Sequence, residues 1–252
     1  DSLGYHMVGH SWGCRWRLII DGNDAGHFSS HTSSARGWRI QSLQINWTIE
    51  NLAAGNHQYV IQVYRPSAGS ASTCLAGWSN NGTHNMIAVE EVAASDTATV
   101  RGMADTRHTP NDWEPLPGRE IRFNKTNADS YLEVTLNDDL GYHGVGGSWG
   151  CRWRVTIDGA PTRAFSSHTG STRGWRIDPR RLTWMIPDID VGNHTAVVQV
   201  YRPNSNSTSE CLAGWPGGTA NSLYVREHDP NKMAITHNMA DTRHTPASWS
   251  AL

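Results

Sequence analysis

The sequence predicts an all-β protein built as two tandem antiparallel β-sandwich domains of jelly-roll-like character. Three observations carry that expectation. Most of the chain is present twice, at a constant register. Apolar and polar residues alternate in short runs that end on turn residues, which is the period of half-buried strands. No stretch keeps a helical period between caps, and many short strands at turn-limited spacing fit a sandwich.

The repeat begins with Leu3-Gly-Tyr-His6, Ser11-Trp-Gly-Cys-Arg-Trp-Arg17, Ile20-Asp-Gly22, Ser30-His-Thr32 and Arg36-Gly-Trp-Arg-Ile40. It returns as Leu140-Gly-Tyr-His143, Ser148-Trp-Gly-Cys-Arg-Trp-Arg154, Ile157-Asp-Gly159, Ser167-His-Thr169 and Arg173-Gly-Trp-Arg-Ile177. Further on, Gly55-Asn-His57, Val63-Tyr-Arg-Pro66 and Cys74-Leu-Ala-Gly-Trp78 meet Gly192-Asn-His194, Val200-Tyr-Arg-Pro203 and Cys211-Leu-Ala-Gly-Trp215, all 137 residues apart in the numbering. One residue is then lost, and Met103-Ala-Asp-Thr-Arg-His-Thr-Pro110 pairs with Met239-Ala-Asp-Thr-Arg-His-Thr-Pro246. A period this long is a whole domain, because solenoid units repeat every 20 to 50 residues or so. The expected organisation is a first β-sandwich repeat over residues 1–113, a linker at 114–118 (Glu114-Pro-Leu-Pro-Gly118), and a second repeat over 119–252. Each half, roughly 125 residues, is long enough to enclose one core.

Within a repeat, Cys14 to Ile20 reads as a strand with Cys and Trp inward and Arg outward, closed by the tight turn Asp21-Gly22. Trp38-Arg-Ile40 and Leu43 to Ile49 read as two further strands. Gly55-Asn-His57 is a turn into the strand Gln58 to Tyr64, which Pro66 ends. Ser67 to Ser72 and Asn204 to Ser209 are Ser/Gly/Asn-rich loops. The closing strand is Asn85 to Val92 in the first copy and Asn221 to Glu227 in the second. Glu120 to Thr126 and Tyr131 to Leu136 are lead-in strands of the second copy, and the first copy shows no equivalent. What completes the first domain is therefore an open question, since an unpaired sheet edge is a pairing hazard.

Bulk properties exclude several classes. The net charge of −2 and sparse charged residues do not make the clustered basic face that nucleic acid requires. No apolar run approaches the ~20 residues that span a bilayer, so membrane insertion is not expected. The start at Asp1, without Met or a signal-like apolar segment, reads as a processed terminus. The four Cys fall at repeat-equivalent positions, and disulfides in an exported chain are the expectation. Four Cys allow three connectivities. Cys14–Cys74 with Cys151–Cys211 is preferred, because a crossed pairing requires interdigitated domains. Zinc is the competitor, but neither half has a short Cys-x-x-Cys pair. Sequons at Asn46, Asn81, Asn124, Asn193 and Asn206 fit a secreted glycoprotein.

A family resemblance follows from the second copy. Phe123-Asn-Lys-Thr126, Ser130-Tyr-Leu-Glu-Val134, Cys151-Arg-Trp153 leading to Ile157-Asp-Gly159, and Gly192-Asn-His194 occur in this order, and the closing strand reads Val89-Glu-Glu-Val92 in the first copy. In this order, residues 119–227 resemble the C-terminal domain of the collagen triple helix repeat-containing proteins. The resemblance implies a jelly roll of the complement and tumour-necrosis-factor type, and a trimeric habit. This chain departs from that family in having no Gly-X-Y stretch and in carrying an Asp-Thr-Arg-His-Thr-Pro block after each closing strand.

Gly9-His-Ser-Trp-Gly13 and Gly146-Gly-Ser-Trp-Gly150 fit the nucleophile-elbow pattern, but that motif needs a helix after the serine and here a strand is expected. No acid–base pair accompanies it, so no enzyme activity is expected. The 13 His show no ligand spacing, and no acidic loop suits a hard cation, so no metal or other cofactor is expected. Of the 12 Trp, Trp16, Trp47, Trp153 and Trp184 sit at inward strand positions and read as core. Trp38 and Trp175 lie beside Gly and polar residues, where an indole face can pack against a sugar ring while fixed polar groups select its hydroxyls. Two constellations, each present twice, are the candidate ligand site. One is His31, Thr32, Arg36 and Trp38, repeated as His168, Thr169, Arg173 and Trp175. The other is Asp105, Arg107 and His108, repeated as Asp241, Arg243 and His244. Each has a structural alternative, since neighbouring Arg and Asp often pin a loop.

The resulting expectation is a secreted carbohydrate-binding protein, a lectin with one site per domain, whose partners are glycans or glycoproteins and whose linked sites gain avidity. The alternative is an extracellular structural or adhesive module that assembles through its jelly-roll faces, with a homo-oligomer or a neighbouring subunit as partner.

Overall fold

The computed structural model describes residues 2–7, 13–32, 37–42, 44–66, 73–76, 87–92, 97–144, 149–169, 174–203, 210–214 and 218–229. Every regular element among them is a strand. The first half supplies β1 (Ser2–Met7), β2 (Arg15–Ile20), β3 (Asn23–Ser29), β4 (His31–Thr32), β5 (Gly37–Ser42), β6 (Tyr59–Tyr64), β7 (Thr73–Ala76), β8 (Thr97–Arg101) and β9 (Thr106–His108). The second supplies β10 (Glu114–Lys125), β11 (Tyr131–Gly144), β12 (Trp149–Ile157), β13 (Ala160–Pro161), β14 (Phe165–Thr169), β15 (Gly174–Ile186), β16 (Gly192–Tyr201), β17 (Glu210–Ala213) and β18 (Ser222–His228).

Four antiparallel sheets result. The first half has two of three strands each, β5-β1-β7 and β3-β2-β6. The second half has β10-β16-β12-β13, with β14 also on β12, facing a seven-stranded sheet ordered β4-β15-β11-β17-β9. In that larger sheet β18 pairs with β11, and β8 pairs with β18. The architecture is the expected antiparallel β-sandwich class, and strands β4, β8 and β9 of the first half pair into the larger sheet of the second.

Alternation sets the core. On β11, Leu132, Val134 and Leu136 are fully buried, and they pack with Trp153, Val155 and Ile157 of β12, Val198 and Val200 of β16, and Leu223 and Val225 of β18. The corresponding cluster of the first half is small: Cys14 and Trp16, with Ile45 and Cys74 packed against them. One disulfide ties the two layers in each half, Cys14–Cys74 and Cys151–Cys211, both with Cα atoms 5.8 Å apart. These are the preferred pairings.

The repeat extends to individual atoms. Asp21 and Asp158 both adopt positive φ (49° and 51°), followed by Gly22 and Gly159 (85° and 86°), which closes the hairpins that the Asp-Gly pairs announced. Trp47 donates its indole N–H to the Gly26 carbonyl at 3.0 Å, and Trp184 donates to Arg163 at 2.9 Å. Arg17 meets Gln62 and Arg154 meets Gln199, each at 2.8 Å.

Three sequence expectations are corrected. Residues 114–118 are not a linker but the start of β10, where Glu114 and Pro115 lie opposite Val200 and Gln199 before a register irregularity. Two prolines are tolerated there because β10 is an edge strand. Residues 44–49 are not in a strand, although their copies in β15 ladder with β11 along its length. Residues 87–92, read as part of the closing strand, are not in a strand either, whereas their copy is β18. Among the described residues, neither segment has beside it the strand that pairs with its copy in the second half. Of the four Trp read as core, Trp16, Trp153 and Trp184 are buried and Trp47 is half-buried.

Candidate functional site

The strands place one aromatic among charged side chains on one face of the large sheet. His143 of β11 stands directly opposite Trp175 of β15 and Glu210 of β17. Direct cross-strand partners share a face, and Leu140 and Tyr142, of the opposite parity, turn to the core. The His143 ring stacks on Trp175 with centroids 4.2 Å apart and planes at 16°, and its Nδ1 lies 3.5 Å from the Glu210 carboxylate. From the first half, β9 lies along β17 with Arg107 opposite Leu212, and the Arg107 guanidinium sits 4.7 Å from the Trp175 ring centre. Arg107 is also 4.0 Å from Glu210. The side chains remain open to solvent: Arg107 is 43 % exposed, Glu210 26 % and His143 27 %.

Glycine permits this packing. A Cβ at Gly141 would stand 2.0 Å from the Arg176 carbonyl, so β11 and β15 close together only without a side chain there.

A buried ion pair anchors the chain just ahead of β9. Arg119 and Asp138 are both fully buried, with the guanidinium donating to Asp138 Oδ2 at 3.0 and 3.1 Å. Arg119 also donates to the carbonyls of Ala104 at 2.6 Å and Pro117 at 2.9 Å, so it grips the chain just ahead of β9. Burial raises the Asp138 carboxyl, against the opposing pull of Arg119. Asp139, equally buried, is pushed well up by burial and by the neighbouring Asp138 charge, while accepting the Ser29 amide at 2.9 and 3.0 Å. His108 is held below the ordinary imidazole value chiefly by burial, with Glu114 3.8 Å away opposing the shift.

The structure brings together only part of the sequence-derived site. Arg107, from the Asp-Thr-Arg-His block of the first repeat, meets Trp175, from the Arg-Gly-Trp block of the second. Asp105 precedes β9 and His108 ends it. His31 and Thr32 form β4, opposite Ile177 and Arg176 on β15, and Trp38 lies in β5 opposite His6. His168 and Thr169 lie in β14, opposite Gly150 and Trp149 in the other sheet of the second half, away from Trp175. Arg36, Arg173, Asp241, Arg243 and His244 lie outside the described residues. Sequence reasoning missed His143, Glu210 and Glu114. Glu210 corresponds to Thr73 in the first copy, so repetition did not mark it.

The recurrent His57 and His194 are structural. Each Nδ1 meets a turn carboxylate, Asp21 at 2.6 Å and Asp158 at 2.7 Å, and each Nε2 meets a backbone carbonyl. A shallow groove of about 370 Å³ beside His194 is lined by Arg122, Phe123, Asn124, Asn193 and Thr195, none of them a sequence-derived site residue. Among the described residues no group of three or more His, Cys, Asp or Glu converges as a metal site, and no helix is long and apolar enough to cross a membrane. The second Gly-x-Ser-x-Gly pattern runs into strand β12, without the helix a nucleophile elbow requires.

No protein-family model and no curated protein matches this chain. Among solved structures it is similar to the CBM36-1 domain of a multidomain xylanase from the hindgut metagenome of Trinervitermes trinervoides, at 12 % identity and TM-score 0.28, covering 52 % of this chain and 96 % of that one. It is also similar to an insecticidal delta-endotoxin of Bacillus thuringiensis, at 7 % identity and TM-score 0.31, covering 90 % of this chain and 54 % of that one. A third similarity is to infectious bursal virus derived T=1 particles, at 12 % identity and TM-score 0.28, covering 90 % of this chain and 72 % of that one. Scores this low carry no statement about activity, and the resemblance to the collagen triple helix repeat-containing proteins rests on the residues quoted for it.

Proposed function

We propose that this chain is an extracellular carbohydrate-binding protein that holds its ligand, without turnover, on the sheet face around Trp175. One observation carries the reading: Arg107 and His143 pack against a single indole, Glu210 stands beside both, and all three, from three strands, keep solvent-exposed polar ends. Sugars ask for this combination, an apolar edge for ring C–H groups and both donors and acceptors at fixed positions for hydroxyls. Arg107 donates only, Glu210 accepts only, and His143 can do either, so the set discriminates hydroxyl orientation. The two disulfides fit an oxidising, extracellular setting. The site around Trp175 is composite and takes residues from both repeats.

A glycan-array screen of the non-reduced protein tests this. Selective binding is expected, weakened about tenfold to a hundredfold by Arg107→Ala, the size of one lost charge-assisted hydrogen bond. Absence of binding to any glycan, or selective binding that Arg107→Ala and Glu210→Gln leave unchanged, would reject the site.

A further inference from the structure

Both partners of the β9–β17 pairing occur twice in this chain. Met103–Pro110 and Met239–Pro246, the latter outside the described residues, are the same eight residues, Met-Ala-Asp-Thr-Arg-His-Thr-Pro. The first block lies along the outer edge of β17, with Thr106, Arg107 and His108 opposite Ala213, Leu212 and Cys211. Asn221 holds its start through the Met103 amide and carbonyl, at 3.0 and 2.7 Å. Arg202 holds its end, donating to the Thr109 carbonyl at 3.4 Å and to the Asn111 side chain at 2.9 Å. The receiving surface is duplicated as well: Cys74-Leu-Ala-Gly77 repeats Cys211-Leu-Ala-Gly214, Arg65 repeats Arg202, and Asn85 repeats Asn221. The Asn111 contact is not repeated, because Ala247 stands there. Strand registers agree too. His143 stands opposite Trp175 and Glu210, and His6 stands opposite Trp38 and Thr73. Among the described residues β17 has β11 on one edge and β9 on the other, whereas β7 pairs with β1. The outer edge of β7 therefore copies an edge whose occupant is seen, and the chain contains that occupant a second time.

We propose that residues 239–246 dock on the outer edge of β7 in the same chain, in the register that the first block takes on β17. Thr242, Arg243 and His244 then stand opposite Ala76, Leu75 and Cys74, and Arg243 joins His6, Trp38 and Thr73 as Arg107 joins His143, Trp175 and Glu210. Each half thus lends its block to the other. The first half gains a binding site of the same plan as that around Trp175, with a neutral hydroxyl in place of the Glu210 carboxylate, so a ligand that needs the charged acceptor is held at Trp175 alone. Main-chain groups along the β7 edge supply the bonds, as in strand addition generally. The chain's own block is favoured over that of a second copy. β18 ends beside the first half, where Arg226 donates to Glu90 at 2.7 Å. From Asp229 the extended chain to Thr242 reaches roughly 43 Å, comparable to the diameter of a protein of this length. A strand tethered at that distance has an effective concentration on the order of millimolar, which a second copy at micromolar concentration does not match. The use of the new site rests on the carbohydrate reading; the docking does not.

The test reads amide hydrogen exchange residue by residue, by NMR, on the full chain with its disulfides intact and on a chain ending at residue 238. In the full chain the amides within 242–244 and the outward amides of β7 are expected to be protected together, exchanging about tenfold or more slower than in an open strand. Removing residues 239–252 should speed the β7 amides by that factor and leave those of β16 unchanged, which shows that the core is still folded. Arg243→Pro, which takes a main-chain donor out of the ladder without shortening the chain, should have the same effect. Three results would overturn the proposal: unprotected exchange at 242–244, β7 protection that both changes leave intact, or protection that appears only as the chain dimerises with rising concentration, which would seat the block on a second copy. Absence of glycan binding leaves the docking standing, because exchange reports it without a ligand.

Discussion

At the scale of single residues, the two Asp–His pairs show what a repeated histidine can mean. Each closes a hairpin turn: the carboxylate accepts a backbone amide, from Gln58 or Thr195 at 2.8 Å, and engages an imidazole with its other oxygen. The Asp21 bond raises His57 and the Asp158 bond raises His194 above the ordinary imidazole value. The partner carboxyls are lowered, Asp21 by the Gln58 amide first and Asp158 by His194 first. A raised imidazole favours the folded state fully below about pH 6.5 and loses that effect as pH climbs through the folded value. A lowered carboxyl contributes above about pH 4 and loses its effect as pH falls through its own folded value. The pairs therefore stabilise most between those limits. Thermal melts from pH 5 to 8 should show a decline that shrinks in Asp21→Asn with Asp158→Asn, because Asn keeps the turn acceptor and tolerates positive φ but loses the charge. An unchanged decline would place the pH dependence elsewhere.

At the scale of elements, the disulfides decide how the layers stay together. Cys151 lies on β12 and Cys211 on β17, so the bond crosses between the sheets of the second half and closes a separation of 60 residues. Removing a bridge of that span should cost about 4 kcal/mol by the chain-entropy relation. Urea unfolding of Cys151→Ser with Cys211→Ser should show that loss, and a variant as stable as the parent would mean that strand pairing alone holds the layers. Strand existence was legible where alternation met a turn signal, as at Cys14–Gly22 and its copy. It failed at 44–49 and 87–92, whose residues alternate as well as their copies do. A strand needs a neighbour, and local sequence does not say whether one arrives.

At the scale of the whole molecule, the first half lends strands to the sheet of the second. β8 adds to the β18 edge and β9 to the β17 edge, and Asn221 bonds both the amide and the carbonyl of Met103 at 3.0 and 2.7 Å. The Ser29 amide reaches the buried Asp139, and the His27 carbonyl accepts from Thr219 and Ala220. A segment of residues 114–252 made alone should thus expose the edges of β17 and β18 and leave Asn221 and Arg119 short of partners. It is expected to aggregate, or to melt well below the full chain, in light scattering and calorimetry. A soluble segment melting with the full chain would show that the first half adds nothing to the second.

Composition and repetition by themselves determined the all-β class, the Asp-Gly hairpins, the inward Trp on the central strands and both disulfides. Each of these depends on residues close in sequence or on a comparison of one copy with the other. Only the tertiary structure decided that Arg107 of the first repeat lies over Trp175 of the second, that Glu210 joins them, and that residues 114–118 are strand. Those outcomes depend on which sheet edge a segment reaches. Edge pairing is set by main-chain groups that every residue but proline carries, so side-chain identity leaves it largely unmarked.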